Sequence, residues 1–160
     1  MDDLIPRWSL DQIYPGPESA AFSADLTLLR ETIAEAQRLL GEGPAADPAA
    51  DPAAWLRRLL PVYNQCTDLF ENLESFAYAQ YSVDTGDTAA QQALNTVGML
   101  SVPLSEMAVE FRSAIAALPG TIENVLAGAE DLSEYRSVLE ETRLFQQRQL
   151  SSAEESLAAD

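Results

Sequence analysis

Residues 64–93 read NQCTDLFENLESFAYAQYSVDTGDTAAQQA, and the fold turns on this stretch. Leading into it and through its first half, Leu59, Val62, Cys66, Leu69, Leu73 and Phe76 recur at alternating steps of three and four. Tyr63, Phe70, Ala77 and Tyr81 widen that line to the breadth of a core-facing helix. The period stops at Asp84-Thr85-Gly86-Asp87-Thr88. Gly86 can take a left-handed conformation there, Asp87 or Thr88 can cap a new helix, and Thr88-x-x-Gln91 has capping-box spacing. A second stripe follows: Ala90, Leu94, Val97, Leu104, Met107, Phe111, Ile115 and Leu118. Two long apolar faces joined by a short turn predict an antiparallel helical hairpin.

Outward from the hairpin, the flanks are helical too. Phe22, Leu26, Leu29, Ile33, Ala36 and Leu40 step by 4, 3, 4, 3 and 4, which predicts a helix over 17–40 that ends at Gly41. Residues 41–52 (GEGPAADPAADP) repeat Ala-Ala-Asp-Pro and form a loop between helices, not a domain boundary. A helix is expected over 53–83, with Pro61 kinking it or splitting off a short leading piece. The next helix, 88–118, is expected to bend at Pro103 and to end at Pro119-Gly120. A short helix over 121–127 closes at Gly128. Asp131-x-x-Glu134 reads as the cap of a helix over 132–149 that turns Leu132, Tyr135, Val138, Leu139, Thr142 and Phe145 inward. Ser152-x-x-Glu155 reads as the cap of one further helix with almost no body, as at the front of a longer protein. Residues 1–16 form an extended clasp anchored by Trp8, Leu10, Ile13 and Tyr14. The expected class is all-α: a single antiparallel helical bundle of 160 residues built on the long hairpin.

Composition removes several chemistries. The net charge is −17, with nine Arg and no Lys, so nucleic acid and anionic membranes would be repelled. Without Lys there is no Schiff-base or phosphate-loop lysine. Without His there is no imidazole base, no Ser-His pair and no H-E-x-x-H zinc site, so no catalysis is expected of this chain. No apolar run approaches a membrane span. An acidic N-terminus without the build of a secretory signal, together with a single Cys, fits the cytoplasm.

The remaining candidates are few. Asp84 and Asp87 flank Gly86 but lack the spacing and closing Glu of a calcium loop, so turn and cap roles fit them best. The adjacent pairs Glu140-Glu141 and Glu154-Glu155 diverge on a helix and read as solvated faces. Cys66 lies on the apolar stripe, where its thiol behaves as a small hydrophobe with a raised pKa. Among Phe70, Phe76, Tyr78 and Tyr81, Phe76 belongs to the core line. Tyr78 lies well off it and faces either another helix or a ligand- or domain-facing surface.

These residues resemble the N-terminal helical region of oligoendopeptidase F, a zinc metallopeptidase of the thimet-oligopeptidase-like superfamily. The family's W-x-L-x-x-[LI]-Y-P segment is similar to Trp8-Ser9-Leu10-Asp11-Gln12-Ile13-Tyr14-Pro15. Its S-[YF]-A-x-x-x-Y-x-x-D-T-x-D segment is similar to Ser75-Phe76-Ala77-Tyr78-Ala79-Gln80-Tyr81-Ser82-Val83-Asp84-Thr85-Gly86-Asp87. Ala90-Gln91, Ser133-Glu134-Tyr135 and the run from Leu150 to Glu155 follow in the same order. The resemblance implies a non-catalytic lobe that forms part of the wall of a cleft admitting short peptides, with Tyr78 and Tyr81 facing substrate or a neighbouring domain. It also implies a C-terminal catalytic domain, absent from these residues, that carries the zinc and the H-E-x-x-H helix. A different class of reading is a free-standing helical adaptor that binds a partner through a hydrophobic groove.

Overall fold

A computed structural model describes residues 10–43 and 51–148. The fold is all-α, and among the described residues there is no strand. Its elements are α1 (Ala20–Gly41), α2 (Pro52–Val83), α3 (Thr88–Gly98), α4 (Ser101–Ala116), α5 (Ile122–Val125), a 3-10 helix (Glu130–Tyr135) and α6 (Arg136–Arg148). They divide into two compact units, one of residues 1–34 and 62–104, the other of residues 35–61 and 105–160. Trp8, residues 44–50, the Ser152-x-x-Glu155 cap and the Glu154-Glu155 pair lie outside the described residues.

In the first unit, Phe22, Leu26, Leu29 and Ile33 of α1 are buried, as are Cys66, Leu73, Phe76 and Ala77 of α2 and Ala90, Ala93 and Val97 of α3. An aromatic cluster joins the segment before α1 to both long helices. Tyr14 meets Phe22 edge-on at 5.3 Å between ring centroids and Phe76 edge-on at 4.9 Å, and Phe22 lies 5.6 Å from Phe76. These separations fall in the favourable range for aromatic pairs, worth about 0.5–1.5 kcal/mol each beyond burial. The Tyr14 hydroxyl satisfies its polar end by donating to the Asp25 carboxylate at 2.6 Å. Ile13, expected as a second anchor, is instead 54% exposed. Leu10 carbonyl accepts from both Ile13 N–H and Tyr14 N–H, and the tight turn this makes aims the two neighbouring side chains apart.

α1 starts at Ala20, three residues later than the expected first residue, because Ser19 accepts from the Phe22 N–H at 3.2 Å and so takes the cap position. The α2–α3 turn is closed by carboxylates. Asp84 accepts from the Gly86 N–H at 2.9 Å, and Asp87 caps α3 by accepting from Ala89 and Ala90 at 2.8 and 3.2 Å. The cap is therefore Asp87 and not Thr88. Gly86 does not use a left-handed conformation; among the described residues only Gly120 (φ 67°) and Gly128 (φ 80°) do.

Both internal prolines behave differently from expectation. α2 runs through Pro61 as one helix of 32 residues, roughly 48 Å at the standard rise. Proline inside a helix costs about 3 kcal/mol. On the N-terminal side of Pro61, Trp55, Leu56, Leu59 and Leu60 are all buried, and each contributes about 1.5–3 kcal/mol, which holds the helical register. Pro103 does the opposite. The single helix expected over 88–118 is two helices, α3 and α4, broken at Met99–Leu100. Pro103 has no N–H to offer the preceding turn, so it sits in the first turn of a new helix, where that donor would be unsatisfied anyway. Leu100 N–H to Val97 carbonyl (2.8 Å) and Ser101 hydroxyl to Gly98 carbonyl (2.7 Å) close the joint.

In the second unit, Ala36, Leu39 and Leu40 of α1 and Trp55, Leu56, Leu59 and Leu60 of α2 supply one part of the core. Met107, Phe111, Ile115 and Leu118 supply another, and Ile122, Val125, Leu126, Leu132 and Leu139 complete it. Trp55, 1% exposed, donates its indole N–H to the Leu39 carbonyl at 2.8 Å, close to the end of α1 where carbonyls lack helical partners. Thr121 caps α5 by accepting from the Asn124 N–H at 3.1 Å.

Asp131 is not a helix cap. Its carboxylate pairs with Arg57, Nε to Oδ2 at 2.7 Å and Nη2 to Oδ1 at 2.9 Å, and residues 130–135 form a 3-10 turn with no side-chain cap before α6 begins at Arg136. The inward line of α6 is Leu139, Thr142, Arg143 and Gln146, continuing from Tyr135 at the end of the 3-10 turn, with Arg143 donating to the Leu118 carbonyl at 3.2 Å. Val138 and Phe145, expected to face inward, each sit one residue off that line, and they are 57% and 62% exposed.

Candidate functional site

α2 positions the aromatic residues singled out in the sequence. Phe76 is buried in the Tyr14–Phe22 cluster, while Phe70 and Tyr81 are half-buried. Tyr78, two residues beyond Phe76 and so about 200° round the helix, is 63% exposed. The Tyr78 carbonyl accepts from Ser82 Oγ at 2.7 Å. Of the two tyrosines, Tyr78 presents its face to solvent and Tyr81 leans on the core.

On the same side of α2, Asp68, Glu71 and Glu74 precede Tyr78 by ten, seven and four residues and are exposed. At the end of α2, Val83 adds a highly exposed apolar side chain. Near the start of α3, a shallow cleft of about 460 Å³ is lined by Pro15, Pro17, Ser19, Asp87 and Ala89. Asp87 is already engaged there as a cap. In the other unit, a cleft of about 380 Å³ lies between α5 and α6, lined by Thr121, Glu123, Glu140, Arg143 and Leu144. Two of its walls are carboxylates, which disfavours an anionic ligand beside Arg143.

Cys66 is fully buried, and burial pushes its thiol up to about 11. A protonated thiol without solvent access is not a nucleophile. Among the described residues, no three Cys, Asp or Glu side chains group closely enough to hold a metal ion, and the sequence has no His. The zinc implied by the oligoendopeptidase resemblance therefore finds no fitting donor set on the described residues. Among these residues, no helix is long and apolar enough to cross a membrane.

Two features of the architecture escape the sequence reading. Trp55 continues the α2 stripe as the position four before Leu59, a signal hidden by the expectation that Pro61 divides the helix. The Arg57–Asp131 pair spans 74 positions and has no sequence signature. Compared with protein-family models, curated proteins and solved structures, the chain matches none.

Proposed function

We propose that this chain is a non-catalytic helical lobe of an oligoendopeptidase F-like zinc metalloendopeptidase, forming part of the wall of a cleft that admits short, unfolded peptides. The observation that carries the reading is the division of labour within Ser75–Asp87. The motif places one aromatic residue, Phe76, in the core and holds another, Tyr78, open to solvent on the same rigid helix. A cleft wall needs both: an anchored helix and an unpartnered side chain to meet the ligand. Peptide hydrolysis itself, the zinc ion and the general base belong in this reading to a catalytic domain outside these residues, and the compartment is the cytoplasm. Exposed apolar side chains in separate places, Tyr78 and Val83 in one unit and Val138, Leu144 and Phe145 in the other, fit a lobe that docks against a further domain.

The exposed pair Val138 and Phe145, seven residues apart on one side of α6, also favours a second reading, a free-standing helical adaptor that receives a partner helix there. Sequencing the gene beyond the codon for Asp160 separates the two. A reading frame that continues into a helix with H-E-x-x-H is expected; a stop codon, or a continuation without that motif, would overturn the peptidase reading in favour of the adaptor.

A further inference from the structure

The outer face of α6 is complementary to its own reverse. Glu141 is exposed midway between Glu134, in the 3-10 turn, and Arg148, the last residue of α6, which stand seven positions to either side of it. Val138 and Leu144 stand three positions to either side, 57% and 46% exposed. Ser137 and Phe145 stand four positions to either side, and both are exposed. Steps of three, four and seven keep these side chains within about 60° of Glu141 round the helix, a stripe as broad as a helix–helix contact. Neither Glu134 nor Arg148 has an ion-pair partner among the described residues.

We infer that this face is the contact surface of a homodimer, in which α6 of one copy lies antiparallel on α6 of a second copy about a two-fold axis at Glu141. Charge and size select the occupant. Reversing the helix sets Glu134 opposite Arg148 of the second copy and Arg148 opposite its Glu134, so a single contact makes two ion pairs at its ends. Between them Val138 meets Phe145 of the second copy, and Leu144 meets its Ser137, a side chain small enough to leave room for it. A parallel pairing would set Glu134 on Glu134 and Arg148 on Arg148, with both helix dipoles pointing the same way. One group opposes the contact, because Glu141 meets its own copy on the axis. The face from Glu134 to Arg148 is about 21 Å long, too short to bury the ~1,200–2,000 Å² of a stable interface, so the dimer is weak, with a Kd of about 0.1–1 mM. The inference goes beyond the peptidase reading and stands apart from it: the reading frame after Asp160 decides that one, and the association of this chain decides this one.

The test is sedimentation equilibrium of the whole 160-residue chain up to about 1 mM, in about 0.15 M salt to screen the charge of −17 on each copy. A concentration-dependent monomer–dimer equilibrium is expected. Glu141→Leu, which removes the like charges from the axis and adds apolar contact in both copies, is expected to tighten it by about tenfold or more. The other variants are read in that tighter background. Phe145→Ser is expected to weaken association by about tenfold or more, whereas Val109→Ser, at an exposed valine of α4, is expected to change it less than about twofold. Glu134→Arg and Arg148→Glu are each expected to weaken it about threefold or more, and the two together to return it to within about twofold of the background. Thermal melts check that every variant is folded. A parent chain that stays monomeric, a Glu141→Leu variant that associates no more tightly, or equal losses from Phe145→Ser and Val109→Ser would overturn the dimer. So would charge variants without effect, or a double charge variant no better than the single ones, since only the antiparallel register pairs Glu134 with Arg148.

Discussion

Phe76 and Tyr78 are separated by a single residue on α2, yet Phe76 is 1% exposed and Tyr78 is 63% exposed. The difference predicts opposite responses to truncation. Phe76→Ala should cost about 3–5 kcal/mol, a large share of the 5–15 kcal/mol that stabilises a domain. Tyr78→Ala should stay within about 0.5 kcal/mol of the parent sequence. Urea denaturation of both variants checks this.

Asp87 and Thr88 compete on paper for the cap of α3, and only Asp87 accepts the α3 amides. Asp87→Ala should therefore cost about 1 kcal/mol, and Thr88→Ala much less. Chemical denaturation midpoints of the two variants make the comparison.

Trp55 fills the second unit's core and satisfies its indole N–H on Leu39. Trp55→Phe removes that bond and leaves a void, for an expected loss of about 1–3 kcal/mol. A variant as stable as the parent would show that the Leu39 contact carries no weight.

Alkaline stability should be limited by two buried groups. Burial and the neighbouring Asp25 carboxylate raise the Tyr14 phenol above its usual 10, and burial raises the Cys66 thiol from 9 to about 11. Both groups are neutral when protonated and are held so by the fold. The unfolded chain releases these protons first, so stability is fully present below about pH 9 and falls as pH rises. The Cys66 share is lost between about pH 9 and 11, and the Tyr14 share sets in above pH 10. Melting temperatures from pH 7 to 11 should fall less steeply in Cys66→Ala from pH 9, and less steeply in Tyr14→Phe only above pH 10.

Periodicity made α1 legible: all six residues of its stripe are buried. The α2–α3 turn was legible for a related reason, since a carboxylate beside glycine between two apolar stripes has few other uses. What stayed hidden depended on tertiary context. The same residue type, proline, continues a helix at position 61 and starts one at 103, because the large buried side chains of Trp55, Leu56, Leu59 and Leu60 stand behind the first and only the smaller Ala90, Ala93 and Val97 are buried before the second. On α6 the phase slipped by one residue at Val138 and Phe145. The sequence places Thr142 rightly on the inward line, but that line also contains Arg143 and Gln146, polar side chains that an apolar pattern does not count. Asp131 looked like a cap because capping is a local pattern, while its partner Arg57 lies 74 positions away. Of the candidate site, Tyr78 was legible from its angle to Phe76, and the half-burial of Tyr81 agrees with its place on the widened core-facing line.

The most direct test of the proposed cleft-wall role is the steady-state cleavage of oligopeptides by the peptidase proposed to carry this lobe, with and without Tyr78→Ala. A residue that meets the peptide but not the reacting bond contributes uniform binding, so KM should rise or the accepted peptide length should change while kcat and the melting temperature hold. Unchanged kinetics across peptide lengths, or a melting loss as large as that of Phe76→Ala, would contradict the account.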